Sequence, residues 1–235
     1  MIGSGWRAEF FLRIARYLPD RFRILSVLVR DPEKGRLFAE RWGVKVVNDL
    51  DSLLAEAPEF VVVSVRKGCA RGYIERLCER GVPVFCETPP VCDLPALTEL
   101  WQTVQALRGD VQVAEQYLWQ PLYAAWSQVI GSGLLGEVQN MSLSALHGYH
   151  GVSVIRHWLG TGYAPCQIWG KRCRFPVTKT GGREGACYTG EVVLRDRDRL
   201  TLEWEDGRAA FFDFDGIQYH SSIRTRQLNV QGPRG

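Results

Sequence analysis

The sequence predicts an α/β protein in two parts. An N-terminal doubly wound parallel sheet is followed by an α+β part built on a mostly antiparallel open sheet. Three observations carry this reading. Short runs that are apolar at successive positions alternate with segments of helical period up to about residue 118. That is the pattern of strands buried on both faces between helices. Beyond it the period falls to two: Leu200, Leu202 and Trp204, then Phe212 and Phe214, are separated by polar residues. The turn chemistry changes too, from helix caps to the hairpin-type pairs Asp206-Gly207 and Asp215-Gly216.

Each element follows from local chemistry. Ala8, Phe11, Leu12 and Ala15 predict a helix over 7–17, stopped by Pro19. Residues 24–29 are apolar and β-branched, a buried strand. Asp31-Pro32-Glu33 opens a helix, with Asp31 as N-cap and proline in the first turn, and Gly43 closes it. Strands are predicted over 44–47, 60–65, 82–86 and 111–114. Helices are predicted over 49–55, 72–80 and 93–107, the last with Leu94, Leu97, Leu100 and Val104 on one side. In the second part, 121–132 and 151–159 read as helices and 138–146 as an alternating strand, with a glycine-rich loop from Thr178 to Gly185. Helices are expected on one face of that sheet, leaving a face with Trp204 available to another subunit. The domains are expected at 1–118 and 119–235. Only Met1 and Ile2 precede Gly3, fewer than the five or six residues of an ordinary strand. The first strand therefore reads as truncated, with the true start upstream.

Composition excludes several classes. Of 235 residues, 46% are hydrophobic and 23% charged, which fits a packed globular chain rather than a disordered or fibrous one. The net charge of +3, from 29 basic and 26 acidic residues, is no nucleic-acid footprint. No apolar run approaches the ~20 residues of a membrane span. The cysteines number seven, an odd count, and form no C-x-x-C. Reduced thiols and a cytoplasmic setting follow. Cys166 and Cys173 match no zinc spacing, so no metal is expected.

The strongest motif is Gly3-Ser4-Gly5-Trp6-Arg7-Ala8, which fits the dinucleotide fingerprint. The first glycine makes the tight turn, the second lets backbone N–H groups approach a pyrophosphate, and the small third residue lets helix and strand pack. NAD or NADP is the implied cofactor. The second strand ends at Val29-Arg30-Asp31, where an acid would hold a ribose 2′-hydroxyl. Valine cannot, and Arg30 could pair with a 2′-phosphate, which favours NADP. Glu87-Thr88-Pro89-Pro90 follows the strand over 82–86, where ligands of open parallel sheets bind, and its prolines admit a cis peptide. Tyr117 and Trp119, with Gln116, follow the sixth strand and would suit a sugar ring.

With these motifs in place the chain resembles the Gfo/Idh/MocA oxidoreductases from Gly3 to about Gly160. The resemblance implies an N-terminal Rossmann domain, an α+β domain for substrate and oligomerisation, a sugar-like or cyclic polyol substrate, and a homodimer or homotetramer. The family's Glu-Lys-Pro is Glu87-Thr88-Pro89 here. Its Gly-x-His-x-x-Asp is Gly148-Tyr149-His150-Gly151-Val152-Ser153. Its Thr-Pro turn after the fourth strand is Val65-Arg66. The resemblance therefore implies His150 and Thr88 as catalytic positions. It implies Gly3, Ser4, Gly5, Trp6, Arg7, Arg30, Val65 and Glu87 against the cofactor, and Tyr117, Tyr149 and Ser153 against substrate. Thr88 can hydrogen-bond, but it is neither a base near neutral pH nor a positive charge for a developing alkoxide. His150 is the one motif residue that titrates near pH 7. His147 and His157 read as incidental. Besides an active oxidoreductase, two readings stand: a silent dinucleotide- or sugar-binding protein on the same scaffold, and a non-functional fragment.

Overall fold

A computed structural model describes residues 1–235. The chain forms two compact units, Met1–Glu115 and Gln116–Gly235. In the first, α1 (Trp6–Tyr17) leads to β1 (Val27–Leu28), α2 (Pro32–Trp42), β2 (Val46–Val47) and α3 (Leu50–Leu54). Then come β3 (Val61–Val63), α4 (Ala70–Cys78), β4 (Val84–Cys86), α5 (Leu94–Ala106) and β5 (Val111–Val113). Every strand pairing is parallel. The expected doubly wound sheet is present.

The first residues sit at the middle of this sheet. Ile2 bridges Leu28 on one side and Val63 on the other, both in parallel. Its N–H donates to the Val62 carbonyl at 2.7 Å, and its carbonyl accepts from Ser64 N–H at 2.9 Å. On the other side the Leu28 N–H donates to the Met1 carbonyl at 2.8 Å, and the Gly3 N–H to the Leu28 carbonyl at 3.2 Å. The lateral order is therefore β2, β1, residues 1–3, β3, β4, β5. Short as it is, the stretch before Gly3 closes the sheet. The Met1 nitrogen donates to the Ser26 carbonyl at 2.9 Å.

Helices cover both faces. On one face α3, α4 and α5 pack Leu50, Leu53, Ile74, Leu77, Leu100 and Val104 against Ile2, Val61, Val63 and Val84. On the other, Ala8 and Leu12 of α1 and Phe38 and Trp42 of α2 pack against Val27, Val29 and Val62. Asp31, Asp49 and Asp93 cap α2, α3 and α5, each carboxylate accepting a backbone N–H three residues on. The expected one-sided stripe on α5 is corrected: Leu100 and Val104 are buried, but Leu94 and Leu97 are exposed. Ala96, Leu100 and Val104 make the stripe that packs on the core, and Leu94 and Leu97 fall outside it.

The second unit begins with a 3₁₀ turn, Tyr117–Trp119, then α6 (Pro121–Gly131), β6 (Asn140–Ser144) and α7 (Gly148–Trp158). Next come β7 (Gln167–Thr178), a small hairpin of β8 (Gly181–Gly182) and β9 (Gly185–Ala186), and β10 (Val192–Glu203). β11 (Ala209–Phe214), a 3₁₀ helix at Gly216–His220 and β12 (Gln227–Gln231) complete it. The main sheet has the order β12-β6-β11-β10-β7 and is antiparallel except for the β11–β6 pair. Met141, Leu143, Leu202, Ala210, Phe212 and Val230 form its core face under Tyr123, Val154, Ile155 and Trp158 of the two helices.

Three sequence expectations change here. Trp204 is buried in this core rather than on an open face, because it follows the last β10 residue where the chain folds into the Asp206-Gly207 turn. Asp215-Gly216 is not a hairpin turn. Asp215 accepts from the Ile217 N–H at 3.1 Å while its own N–H donates to Gln218 Oε1 at 3.0 Å, a capping box opening the 3₁₀ helix. Finally, α7 starts at Gly148, so Tyr149 and His150 lie in its first turn.

Candidate functional site

In the first unit the site grows from the turn between the amino-terminal stretch and α1. Gly3 has φ +116°, and a Cβ there would stand 2.0 Å from the Ser64 carbonyl oxygen. No side chain fits between the turn and the neighbouring strand. Gly5 is different. It is the N-cap of α1 with φ −82°, it is exposed, and a Cβ there would meet nothing within 4 Å. No side chain caps α1 at this position. Gly5 therefore leaves open space in front of first-turn N–H groups, at the positive end of the helix dipole.

Around this turn the structure gathers several predicted residues. Ser4 is half-buried, and Trp6 is exposed with its ring edge-on to Phe10 at 4.6 Å. The Arg7 guanidinium Nε donates to Glu87 Oε1 at 2.6 Å. Arg7 and Glu87 thus tie the start of α1 to the turn after β4. Glu87 also receives the Thr88 N–H on Oε2 at 3.3 Å. The Thr88-Pro89 peptide is cis. Cys86, just before, is fully buried and its thiol is pushed up to about 12, chiefly by desolvation and then by the Glu87 charge. Val65 is half-buried beside Gly3. At the end of β1, Val29 is buried, Arg30 is exposed, and Asp31 is spent on capping α2.

A dinucleotide pyrophosphate fits what is present. The backbone at Gly5 is open, α1 has no side-chain cap, and no acid stands free at the end of β1. Gly3, Ser4, Gly5 and Trp6 would hold the phosphates, with Arg30 toward the adenosine end.

In the second unit the site is an aromatic and imidazole cluster. His150 is buried, with ring centroids of Tyr117 at 4.7 Å, His147 at 4.7 Å and Tyr149 at 4.4 Å. Tyr149 is exposed at the edge, and Ser153 lies half-buried one turn along α7. Trp119 is exposed. His147 is no bystander, contrary to the sequence reading. Its Nδ1 lies 2.7 Å from the Tyr219 hydroxyl, and its backbone N–H donates to the same oxygen at 3.1 Å. The Tyr117 hydroxyl reaches Tyr219 at 3.4 Å. Tyr219 escaped notice because it follows Asp215-Gly216, which reads as a turn. The Asp215-x-x-Gln218 capping box was the signal available.

Residues 1–115 match the profile of the oxidoreductase family with the NAD-binding Rossmann fold. Those residues carry the NAD-binding Rossmann domain of the Gfo/Idh/MocA oxidoreductase family. Two solved structures share the fold over the whole of this chain. The scyllo-inositol dehydrogenase of Lactobacillus casei superposes with TM-score 0.73 at 16% identity, covering 100% of this chain and 72% of that one. The myo-inositol 2-dehydrogenase of Lactobacillus plantarum does so with TM-score 0.72 at 16% identity, covering 100% and 73%. These likenesses establish fold. By sequence, a 2,7-anhydro-N-acetylneuraminate hydratase of Mediterraneibacter gnavus is 30% identical over 254 aligned positions, spanning 100% of this chain. The chain covers 65% of that relative's length. No helix is long and apolar enough to cross a membrane, and no group of histidine, cysteine and acidic side chains could hold a metal ion.

Proposed function

We propose that this protein binds NAD(P) at the Gly3–Ala8 turn and uses it on a sugar-like or cyclic polyol substrate, with His150 as the proton-transferring group. The single observation that carries the reading is the open backbone at Gly5 over the uncapped start of α1. Bound there, the nicotinamide supplies a hydride donor or acceptor. The chain's own residues do the rest. Gly3 shapes the turn, and the Arg7–Glu87 pair braces α1 against the Thr88 turn. Thr88 offers a neutral hydrogen bond where the family has a lysine. His150 takes up or releases the substrate's proton. Arg30 at the end of β1 gives NADP the advantage.

The Thr88 position supports a second reading, a binding protein without turnover. One experiment separates the two. NADH and NADPH are titrated by energy transfer from tryptophan to the nicotinamide. The protein is then offered ketoses, inosose-like ketones and 2,7-anhydro-N-acetylneuraminate. Nicotinamide absorbance is followed, and products are weighed for gain of one water, since net hydration leaves that absorbance unchanged. Turnover that is lost in His150→Ala supports the enzyme. Cofactor binding without turnover, with turnover appearing in Thr88→Lys, supports the silent scaffold. No cofactor binding at millimolar concentration refutes the enzyme and the dinucleotide-binding scaffold alike.

A further inference from the structure

The Tyr219 hydroxyl and the His147 ring share one proton in a short contact, and its position can be worked out by counting. The His147 backbone N–H can only donate, so it fills one lone pair of the Tyr219 oxygen, at 3.1 Å. The contact between Tyr219 Oη and His147 Nδ1 is 2.7 Å, a well-formed hydrogen bond that needs one proton. Suppose the proton sat on Nδ1. The phenol would then accept twice from His147, and its own proton would have to reach Tyr117 Oη, 3.4 Å away and beyond good O–H···O range. Suppose instead that the phenol donates to Nδ1. The Tyr117 hydroxyl can then donate to the remaining lone pair of Tyr219, and the Tyr219 oxygen and His147 Nδ1 are both satisfied. The second arrangement places the short bond on the phenolic proton and leaves the long contact the weak one. Burial also pushes the Tyr219 phenol above its ordinary range, so it keeps its proton.

We infer that Tyr219 is a positioning residue: it fixes His147 as the neutral tautomer carrying its proton on Nε2. The His147 proton is thereby placed on Nε2, with the ring held in direction at Nδ1 and at its backbone, beside His150 with ring centroids 4.7 Å apart. A neutral imidazole donor in that position suits an oxygen acceptor next to His150, the group proposed above to move the substrate's proton. The edge-on packing of the Phe214 and Tyr219 rings, 5.0 Å between centroids, holds the phenol in place. This role in turnover rests on the function proposed above; the tautomer does not.

The decisive experiment reads the tautomer directly. In protein labelled with ¹⁵N-histidine, long-range proton–nitrogen spectra at pH 7.5 assign each ring nitrogen, with His147→Gln identifying the signals. The expected result is a His147 ring with a bare Nδ1 and a protonated Nε2. In Tyr219→Phe, which removes only the hydroxyl, the two nitrogens move toward averaged values. Turnover falls about tenfold in kcat, with NADH affinity unchanged. A protonated Nδ1 in the parent protein overturns the inference, as does an unchanged His147 spectrum in Tyr219→Phe. If Tyr219→Phe fails to fold, the parent spectrum alone decides. A parent that shows the expected tautomer but no turnover on any substrate counts against the proposed function and leaves the tautomer standing.

Discussion

Replacing Gly5 by valine tests the nucleotide reading without disturbing the fold. Gly5 has φ −82° and ψ 174°, an extended conformation open to any residue, and a Cβ there meets nothing within 4 Å. The folded state can take the side chain without strain. An N-cap valine is less favourable than glycine, while the loss of glycine's unfolded-state freedom works the other way, so stability shifts by no more than about 1 kcal/mol. The ligand side differs. The valine branches occupy the space in front of the first-turn N–H groups, where a pyrophosphate must come within hydrogen-bond reach. Losing one charge-assisted bond to backbone weakens binding by about 2 to 3 kcal/mol. That corresponds to roughly 30- to 150-fold in Kd. The assay is NADH titration by tryptophan energy transfer, with urea unfolding as the control. A folded Gly5→Val protein that binds NADH as tightly as the parent refutes the argument that this turn holds the pyrophosphate.

Gly3→Ala acts on folding instead. A Cβ 2.0 Å from the Ser64 oxygen must force the central strands apart, and urea unfolding is expected to show a loss above about 3 kcal/mol or no folded protein. Asp215→Ala removes the acceptor for the Ile217 N–H and is expected to lower stability by about 1 to 2 kcal/mol. Calorimetry should find the lost stability restored in part by Asp215→Asn.

Much of the first unit was legible because its signals are local. Asp31, Asp49 and Asp93 announce helix starts by their own chemistry, and the valine run at 61–63 can only be a strand buried on both faces. The paired prolines after Thr88 likewise admitted the cis bond that is present. The second unit gave less away. Much of β10 lacks an apolar stripe, since Arg-Asp-Arg-Asp-Arg over 195–199 holds no apolar residue. The strand pairing is supported across the sheet, by Arg172 with Asp198 and Arg174 with Asp196 in bidentate contact. Such a ladder is visible only once the partner strand is known. Tyr219 was hidden for the same reason. Its neighbours His147 and Tyr117 are 72 and 102 residues away in the chain, and no spacing rule links them.

The amino-terminal tripeptide works as a seam. Through Met1, Ile2 and Gly3 the ladder passes from Leu28 to Val62 and Ser64, stitching two patches of sheet that otherwise have separate strand pairings. Without Met1 and Ile2 the layer would therefore unzip along its midline. Leu28 and Val63 would be laid bare as sticky edges, and the turn would lose the anchor that aims α1.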